Sequence, residues 1–398
     1  AMLNRRRFLQ SAVAAAGCLS GVSPIGARAA FPDGEGAAGA LRITEPFPGA
    51  VLNHRHGEAV DGGLKIRVAC TAAPGDRVTV NGQPATRAGE QFTAEVVLRD
   101  KVTDIKAVSD GLLGQSEAQV KVRWDRHSMP RYRFSIDDNS FFLRDIAQHE
   151  YRSLLDCWYL KMLQDLNTKY GVKFTVNIYY TTGDDFSLPQ LSDRYRSQWR
   201  DMSDWLKLAF HAHANLPDRP YQDAPPEKLL ADLDQVAEQI HRFAGPEAYA
   251  PPTVIHWGMT RQESLQPLTT RGVRALSGYF VKWNDAYDVN YRFNDEISEY
   301  LSRHDAWMDF STGIVFSRVD IICNNVAIDD IVPTLEPQIQ DPNTAEIFDL
   351  FTHEQYFWPF YSHYIPDHAD RLDRAIRWVT EQGYKPVFFH EGFLGAPD

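Results

Sequence analysis

Residues 126–398 alternate short apolar runs with amphipathic stretches, and this alternation constrains the fold more than any other feature of the sequence. Apolar side chains at helical spacing mark three stretches that are each followed by a glycine: 150–170, 226–244 and 368–382. Eight apolar runs predict strands: 132–136, 173–179, 206–210, 253–255, 275–280, 314–322, 347–351 and 387–389. Strands that alternate with helices favour a parallel α/β barrel, complete or distorted.

Residues 40–125 have a different pattern and predict a separate all-β domain. Short segments of alternating polar and apolar residues follow one another at roughly 10-residue spacing, with no helical stretch between them. The pair Asn81-Gly82 is a strong hairpin signal. We therefore expect a small β-sandwich, which resembles the bacterial immunoglobulin-like modules found beside carbohydrate-active domains.

The N-terminal 30 residues resemble an export signal of the twin-arginine type. A basic segment (residues 4–10) precedes an apolar stretch and then Ala27-Arg28-Ala29, the order typical of a cleaved signal. The apolar stretch is too short to span a bilayer, which takes about 20 residues. We expect a periplasmic or extracellular protein, with lipid attachment at Cys18 as an alternative.

The overall charge disfavours one class of partner. The formal net charge is −12, whereas proteins that follow a nucleic-acid backbone carry a basic surface. We therefore expect no nucleic-acid partner. The sequence also predicts no transmembrane segment.

Polar residues follow five of the predicted strands, where the carboxyl ends of barrel strands would form a common rim. They are Asp137, Asp138, His211, His213, Asn215, His256, Trp257, His353, Glu354, His390 and Glu391. Imidazole and carboxylate groups at one rim are typical ligands of a divalent metal ion such as zinc.

An ordered series of motifs over residues 130–398 resembles the polysaccharide deacetylase family, the NodB-homology fold. The segment Phe134–Asp138 is similar to the opening Thr-Phe-Asp-Asp motif, and 171–177 is similar to the next strand. His211 is similar to the first histidine of a His-x-x-x-His motif, and 350–353 to a late Leu-x-His motif. The resemblance implies a distorted (β/α) barrel.

The same resemblance implies roles for four residues. Asp137 would be the general base, Asp138 and His211 would bind the metal, and His353 would be the general acid. The second metal histidine of the family falls at Asn215, so Asn215 or the nearby His213 is the candidate third ligand.

Further residues near the rim are candidates for substrate binding or acid–base chemistry. Glu354 follows His353 and is a further candidate catalytic residue. Flat aromatic side chains suit the faces of sugars. The candidate substrate-binding residues are His256, Trp257, Arg219, Tyr221, Tyr356, Trp358, His390 and Glu391.

These observations favour an exported, metal-dependent hydrolase that removes acetyl groups from a poly- or oligosaccharide. An alternative is a glycoside hydrolase or lyase, in which Asp137 or Asp138 works with Glu354 or Glu391. A further alternative is a non-catalytic glycan-binding protein of the cell envelope.

Overall fold

A computed structural model describes residues 40–112 and 114–395. The predicted export signal and Cys18 lie outside these residues. Within the described part of the chain, none of the helices is long and apolar enough to cross a membrane. Contacts divide the chain into two compact units. One comprises residues 40–46, 67–96 and 105–120, and the other comprises 47–66, 97–104 and 121–395.

The first part of the chain consists of strands, as the alternating pattern predicts. They are β1 (Arg42–Glu45), β2 (Val51–Leu52), β3 (Glu58–Val60), β4 (Gly63–Thr71), β5 (Arg77–Val80), β6 (Gln83–Pro84), β7 (Thr86–Ala88), β8 (Gln91–Leu98), β9 (Val102–Gly111) and β10 (Gly114–Trp124). Antiparallel pairs in the first unit join β1 to β4, β5 to both β6 and β9, and β7 to β8. Asn81 and Gly82 both have positive φ in the turn between β5 and β6, as the hairpin signal requires. The immunoglobulin-like arrangement itself stays a prediction.

The second unit is a mixed α/β structure with several sheets. Its remaining strands are β11 (Arg131–Asn139), β12 (Phe174–Tyr179), β13 (Thr181–Thr182), β14 (Phe186–Ser187), β15 (Leu206–Ala212), β16 (Ala275–Gly278), β17 (Val281–Trp283), β18 (Ala286–Asp288), β19 (Ala306–Asp309), β20 (Ile314–Arg318), β21 (Ile321–Ile322), β22 (Ile347–His353) and β23 (Lys385–Pro386). A six-stranded sheet has the order β15-β12-β11-β22-β21, with β23 also paired to β11. All its described pairs are parallel.

The helices of this unit are α1 (Phe141–His149), α2 (Trp158–Tyr170), α3 (Arg196–Met202), α4 (Pro226–Phe243), α5 (Leu265–Thr269), α6 (Asp295–Leu301), α7 (Ile331–Leu335), α8 (His368–Glu381) and α9 (Phe389–Gly392). Helices α2, α4 and α8 correspond to the three predicted amphipathic stretches, and the other helices were not predicted. Helix α4 buries Leu229, Leu233, Val236 and Ile240, which are three or four residues apart and therefore share one face. Helix α2 ends at Gly171, which has a φ of 71° that favours glycine.

The strand ladders do not close into a barrel among the described residues, so of the two predicted forms, complete or distorted, the complete eight-stranded barrel is not formed there. A separate three-stranded sheet has the order β16-β20-β19. The predicted strand at 253–255 is not formed, and isolated hydrogen bonds take its place: Ala250 N to Leu208 O (2.9 Å) and Ser277 N to Thr253 O (2.8 Å). Pro251 and Pro252 precede this segment, and proline has no N–H to give to a ladder.

The last predicted strand, 387–389, is also wrong, because β23 ends at Pro386 and α9 begins at Phe389. The other apolar runs do form strands within three residues of the predicted ends, and 314–322 divides into β20 and β21. Strands β11 and β12 are almost wholly buried on both faces, as expected of parallel strands covered by helices.

Candidate functional site

The site lies at the carboxyl ends of four neighbouring parallel strands. Asp137 and Asp138 are near the end of β11, Tyr179 ends β12, His211 is next to last in β15, and His353 ends β22. Because these strands run in one direction, their ends lie at the same edge of the sheet. Asp137 is directly opposite His353 in the β11–β22 register.

Three side chains bring one donor atom each to a common point. His211 Nε2 lies 3.0 Å from Asp138 Oδ1 and 2.9 Å from His256 Nδ1. The third side of this triangle, His256 Nδ1 to Asp138 Oδ1, is 3.5 Å. Both histidines are buried and Asp138 is partly buried. We call Asp138, His211 and His256 the donor triangle.

The backbone and two neighbours fix the carboxylate of Asp138. Its φ is 59°, an uncommon value for a residue other than glycine, and Asp138 lies within the register shift between Ile136 and Asn139 in the pairing of β11 with β12. Gln355 Nε2 donates to Asp138 Oδ2 at 2.9 Å, and the hydroxyl of Tyr179 donates to Oδ1. Burial raises the pKa of this carboxyl, but the hydrogen bond to His211 and the nearby imidazoles outweigh burial and hold the pKa well below its usual value.

The two histidines of the triangle differ in their preferred charge. Burial, aided by the adjacent His211, lowers the pKa of His256 to about 3. Burial also lowers the pKa of His211, but Asp137 and Asp138 outweigh it and the net pKa is raised. His256 is therefore a neutral imidazole, the form in which histidine binds metal ions.

The donor triangle fits a divalent cation. Zinc binds imidazole nitrogen and carboxylate oxygen at about 2.0–2.2 Å. With sides of 2.9, 3.0 and 3.5 Å, the triangle has a point about 2 Å from all three donors just above its plane. Two imidazoles and one carboxylate leave a fourth position open, as in catalytic zinc sites.

Asp137 stands beside the triangle without being one of its corners. Its Oδ1 accepts hydrogen bonds from Ser135 Oγ (3.1 Å) and Asn177 Nδ2 (2.6 Å). Its Oδ2 lies 3.9 Å from His211 Nε2. One carboxylate oxygen is therefore held in place, and the other faces the donor triangle.

His353 lies on the next strand and is partly exposed. Its Nδ1 is 3.0 Å from Asn324 Oδ1, and its ring lies 6.0 Å from that of Tyr356. Its charge is among the influences on both Asp138 and His256, which places it near the triangle. The predicted base Asp137 and acid His353 are thus brought together with the predicted ligands Asp138 and His211.

The predicted third ligands lie outside the triangle. His213 follows the end of β15, and its ring stacks on Tyr180 at 5.0 Å between centroids. Asn215 is exposed; its Oδ1 lies 3.1 Å from the Tyr179 hydroxyl oxygen, and its backbone makes a hydrogen bond with His256. His256, which the sequence suggested as a substrate-binding residue, takes the third corner instead.

Glu354 and Trp358 have structural roles, which corrects their predicted functions. Glu354 is fully buried, and its oxygens accept the backbone N–H groups of Ser140, Phe141 and Phe142 at the N-terminus of α1. It also accepts from Trp358 Nε1 at 3.0 Å. Burial raises the pKa of Glu354 to about 7, against the opposing effect of the backbone donors. All of its acceptor positions serve the fold.

His390 and Glu391 lie away from the site, whereas Tyr221 is buried beside His213, just after the end of β15. Tyr221 is fully buried and donates to Asp232 Oδ2 at 2.8 Å. His390 and Glu391 belong to α9, beside Lys173 and Lys207 at the amino ends of β12 and β15. Their predicted part in substrate binding or catalysis is therefore wrong, because the site is at the carboxyl ends of these strands.

Arg219 and Trp257 lie near the site but contact each other. The Arg219 guanidinium sits over the Trp257 ring at 4.9 Å and makes two hydrogen bonds of 2.7 and 2.6 Å to Asp288. Trp257 follows the ligand candidate His256 directly and has a φ of 65°. Tyr356 packs beside His353 and is the predicted aromatic residue nearest to the proposed acid.

Sequence reasoning missed the contacts of Tyr179, Asn324 and Gln355 and the place of His256 in the donor triangle. Tyr179 and Gln355 do stand at or just after strand ends, so the strand-end rule includes them. The Asn324 contact depends on a turn 29 residues from His353, which no local pattern indicates.

Comparisons with known proteins assign no family. No protein-family profile and no curated protein match the sequence. Among solved structures, a 4-alpha-glucanotransferase from Thermococcus litoralis is similar with a TM-score of 0.44 and 12% identity; the match covers 66% of this chain and 40% of that one. A putative alpha-galactosidase/melibiase from Bacteroides fragilis is similar with a TM-score of 0.18 and 10% identity, over 60% of this chain and 57% of that one.

A second putative alpha-galactosidase from Bacteroides fragilis has a TM-score of 0.19 and 10% identity, over 78% of this chain and 66% of that one. The chain thus spans less than half the length of the glucanotransferase. The resemblance to polysaccharide deacetylases is not tested by these matches and stays a prediction.

Proposed function

We propose that the chain is a metal-dependent hydrolase that acts on carbohydrate, and that its simplest reaction is the removal of an acetyl group. The observation that carries this proposal is the donor triangle with Asp137 beside it. Two imidazoles and a carboxylate whose donor atoms lie 2.9–3.5 Å apart suit one divalent cation, most simply zinc.

When bound, such an ion lowers the pKa of water and polarises an acyl oxygen. Asp137 Oδ2 faces the triangle and is the candidate group to take a proton from water. Ser135 and Asn177 hold the other oxygen, so the carboxylate keeps its orientation during proton transfer. His353 is the candidate donor of a proton to the leaving group.

Carbohydrate is the proposed substrate class because aromatic faces border the site. The half-buried ring of Tyr356 packs beside His353, and Trp257 follows His256. Sugar rings stack on such faces. The motifs similar to polysaccharide deacetylases support the same class of substrate.

Cleavage of a glycosidic bond is the second candidate reaction, and the similar solved structures are a 4-alpha-glucanotransferase and two putative alpha-galactosidases. The carboxylate pairs suggested by the sequence are not available for it, because Glu354 holds α1 and Glu391 lies at the opposite strand ends. Asp137 and Asp138 are the carboxylates that remain at the site. Retention of glycan without turnover is the third candidate.

Product analysis distinguishes these candidates. The purified protein is incubated with acetylated and deacetylated oligosaccharides, and released acetate and new reducing or unsaturated ends are measured separately. We expect acetate release that stops after chelation, returns with zinc, and falls at least 100-fold in Asp137→Asn. New chain ends without acetate would establish the second candidate, and binding without either product would establish the third. His213→Ala, outside the triangle, is the matched control and should keep the activity.

A further inference from the structure

A line of hydrogen-bonded side chains runs from the core to His353. His353 Nδ1 lies 3.0 Å from Asn324 Oδ1, and Thr352 Oγ1 lies 3.1 Å from the same oxygen. Thr352 Oγ1 is also 2.9 Å from Nε2 of His368, a residue that is 1% exposed. The positions of the protons along this line can be worked out from its buried end.

His368 carries a single ring proton, because burial lowers its pKa to about 3 and Arg371 adds to that effect. Its Nδ1 is buried and makes no hydrogen bond within the described part of the chain. An unpaired buried N–H is rarer in proteins than an unpaired acceptor. The proton therefore belongs on Nε2, which donates it to the hydroxyl oxygen of Thr352.

The hydroxyl of Thr352 has one proton of its own and gives it to Asn324 Oδ1. The orientation of the Asn324 amide agrees with this direction, because its Nδ2 donates to Asn325 Oδ1 at 2.9 Å. Oδ1 is thus an acceptor towards both Thr352 and His353. His353 Nδ1 faces an acceptor and must carry the proton of the neutral ring.

We propose that Asn324 is a positioning residue that selects the Nδ1–H tautomer of His353 and leaves Nε2 unprotonated towards the site. Nε2 makes no hydrogen bond within the described residues, and it is not one of their buried polar atoms that lack a partner. Solvent therefore reaches it. Within the proposed function, on which this consequence rests, Nε2 takes a proton from solvent and gives it to the leaving group. Asn324 keeps its own protons throughout.

Nitrogen NMR of the histidine side chains tests the tautomer directly, with no substrate. Spectra of ¹⁵N-labelled protein are recorded where the ring is neutral, and the His353 signals are assigned by their loss in His353→Gln. We expect a protonated Nδ1 and an unprotonated Nε2. We expect Asn324→Asp, which keeps an acceptor in place, to retain this pattern, and Asn324→Leu to lose it.

A protonated Nε2 in the unmodified protein would overturn the proposal, and so would an unchanged pattern in Asn324→Leu. Because the unmodified chain alone gives a decisive result, a variant that fails to fold does not block the test. Metal content, measured on the same samples, reports on the proposed function separately: a chain that binds no metal can still show the expected tautomer.

Discussion

Loss of Arg133 should destabilise the second unit strongly, because it leaves a buried carboxylate without its cation. Arg133 Nε donates to Asp349 Oδ1 at 2.6 Å, and the two side chains are 3% and 0% exposed. Arg133 also donates to Thr253 Oγ1 at 3.1 Å, and its guanidinium lies over the Phe389 ring at 4.3 Å. Removing one member of a buried ion pair costs about 3–5 kcal/mol. We expect a loss of that size in Arg133→Met.

The cost should also depend on pH. Burial raises the pKa of Asp349, so its folded-state pKa lies above the unfolded value. Stability linked to such a group is present at low pH and is lost as the pH rises through the folded-state pKa. Without Arg133, that pKa rises further. The variant should therefore lose more free energy of unfolding at about pH 8 than at about pH 5.

Urea unfolding followed by tryptophan fluorescence measures this free energy. The double variant Arg133→Met with Asp349→Leu has neither charge. We expect its loss of unfolding free energy to be smaller, by at least about 2 kcal/mol, than the summed losses of the two single variants. Arg303→Met is the matched control, since its pair with Glu299 is exposed and should contribute less than about 1 kcal/mol. A cost below about 1 kcal/mol for Arg133→Met, or simple additivity in the double variant, would refute the reasoning.

Three further predictions concern pH, metal affinity and the far end of the sheet. Burial raises the pKa of Asp320 to about 7, so the folded chain keeps a proton that the unfolded chain releases near pH 4. The free energy of unfolding, measured with urea, should therefore fall between about pH 4 and 7 in the wild type. The same profile should be flatter in Asp320→Asn. Tyr179→Phe removes a hydrogen bond to Asp138 and should weaken zinc binding about 10–100-fold in a competition titration, whereas unchanged affinity would deny that contact a role. Glu391→Gln should leave product release within about twofold, and a loss like that of an active-site variant would contradict its location.

Three of the helices and most strands could be predicted because their signals are local. Helix α4 occupies 226–243 against a predicted 226–244, since apolar spacing and a following glycine are both read from neighbouring residues. The segment 253–255 has the composition of a strand but follows two prolines, and its partners are set by tertiary structure. The strands do not close into a ring at residues 253–255, because single backbone hydrogen bonds stand there in place of a strand ladder.

The candidate site was predictable where a residue stands at a strand end and its side chain lies in or beside the donor triangle. Asp137, Asp138, His211 and His353 meet that condition. Glu354 stands at a strand end as well, but it accepts backbone N–H groups of α1 more than 200 residues away. The sequence does not show which strand-end residue serves the fold and which serves the site.

The third corner of the triangle is the clearest case of a residue that only the tertiary structure could place. Family spacing indicated Asn215, four residues after His211, whereas the donor is His256 on a turn 45 residues away. That turn reaches His211 because the segment before it runs beside β15, with Leu208 bridged to Tyr249.

The most direct test of the account is zinc affinity across the three candidate third ligands. The unmodified chain, His256→Ala, Asn215→Ala and His213→Ala are stripped with chelator and titrated with zinc against a chromophoric competitor. We predict that the unmodified chain binds one zinc ion. The zinc affinity should fall at least about 100-fold in His256→Ala and should stay within about tenfold of the unmodified chain in the other two variants. Wild-type affinity in His256→Ala, or no stoichiometric zinc in the unmodified chain, would contradict a metal centre built from Asp138, His211 and His256.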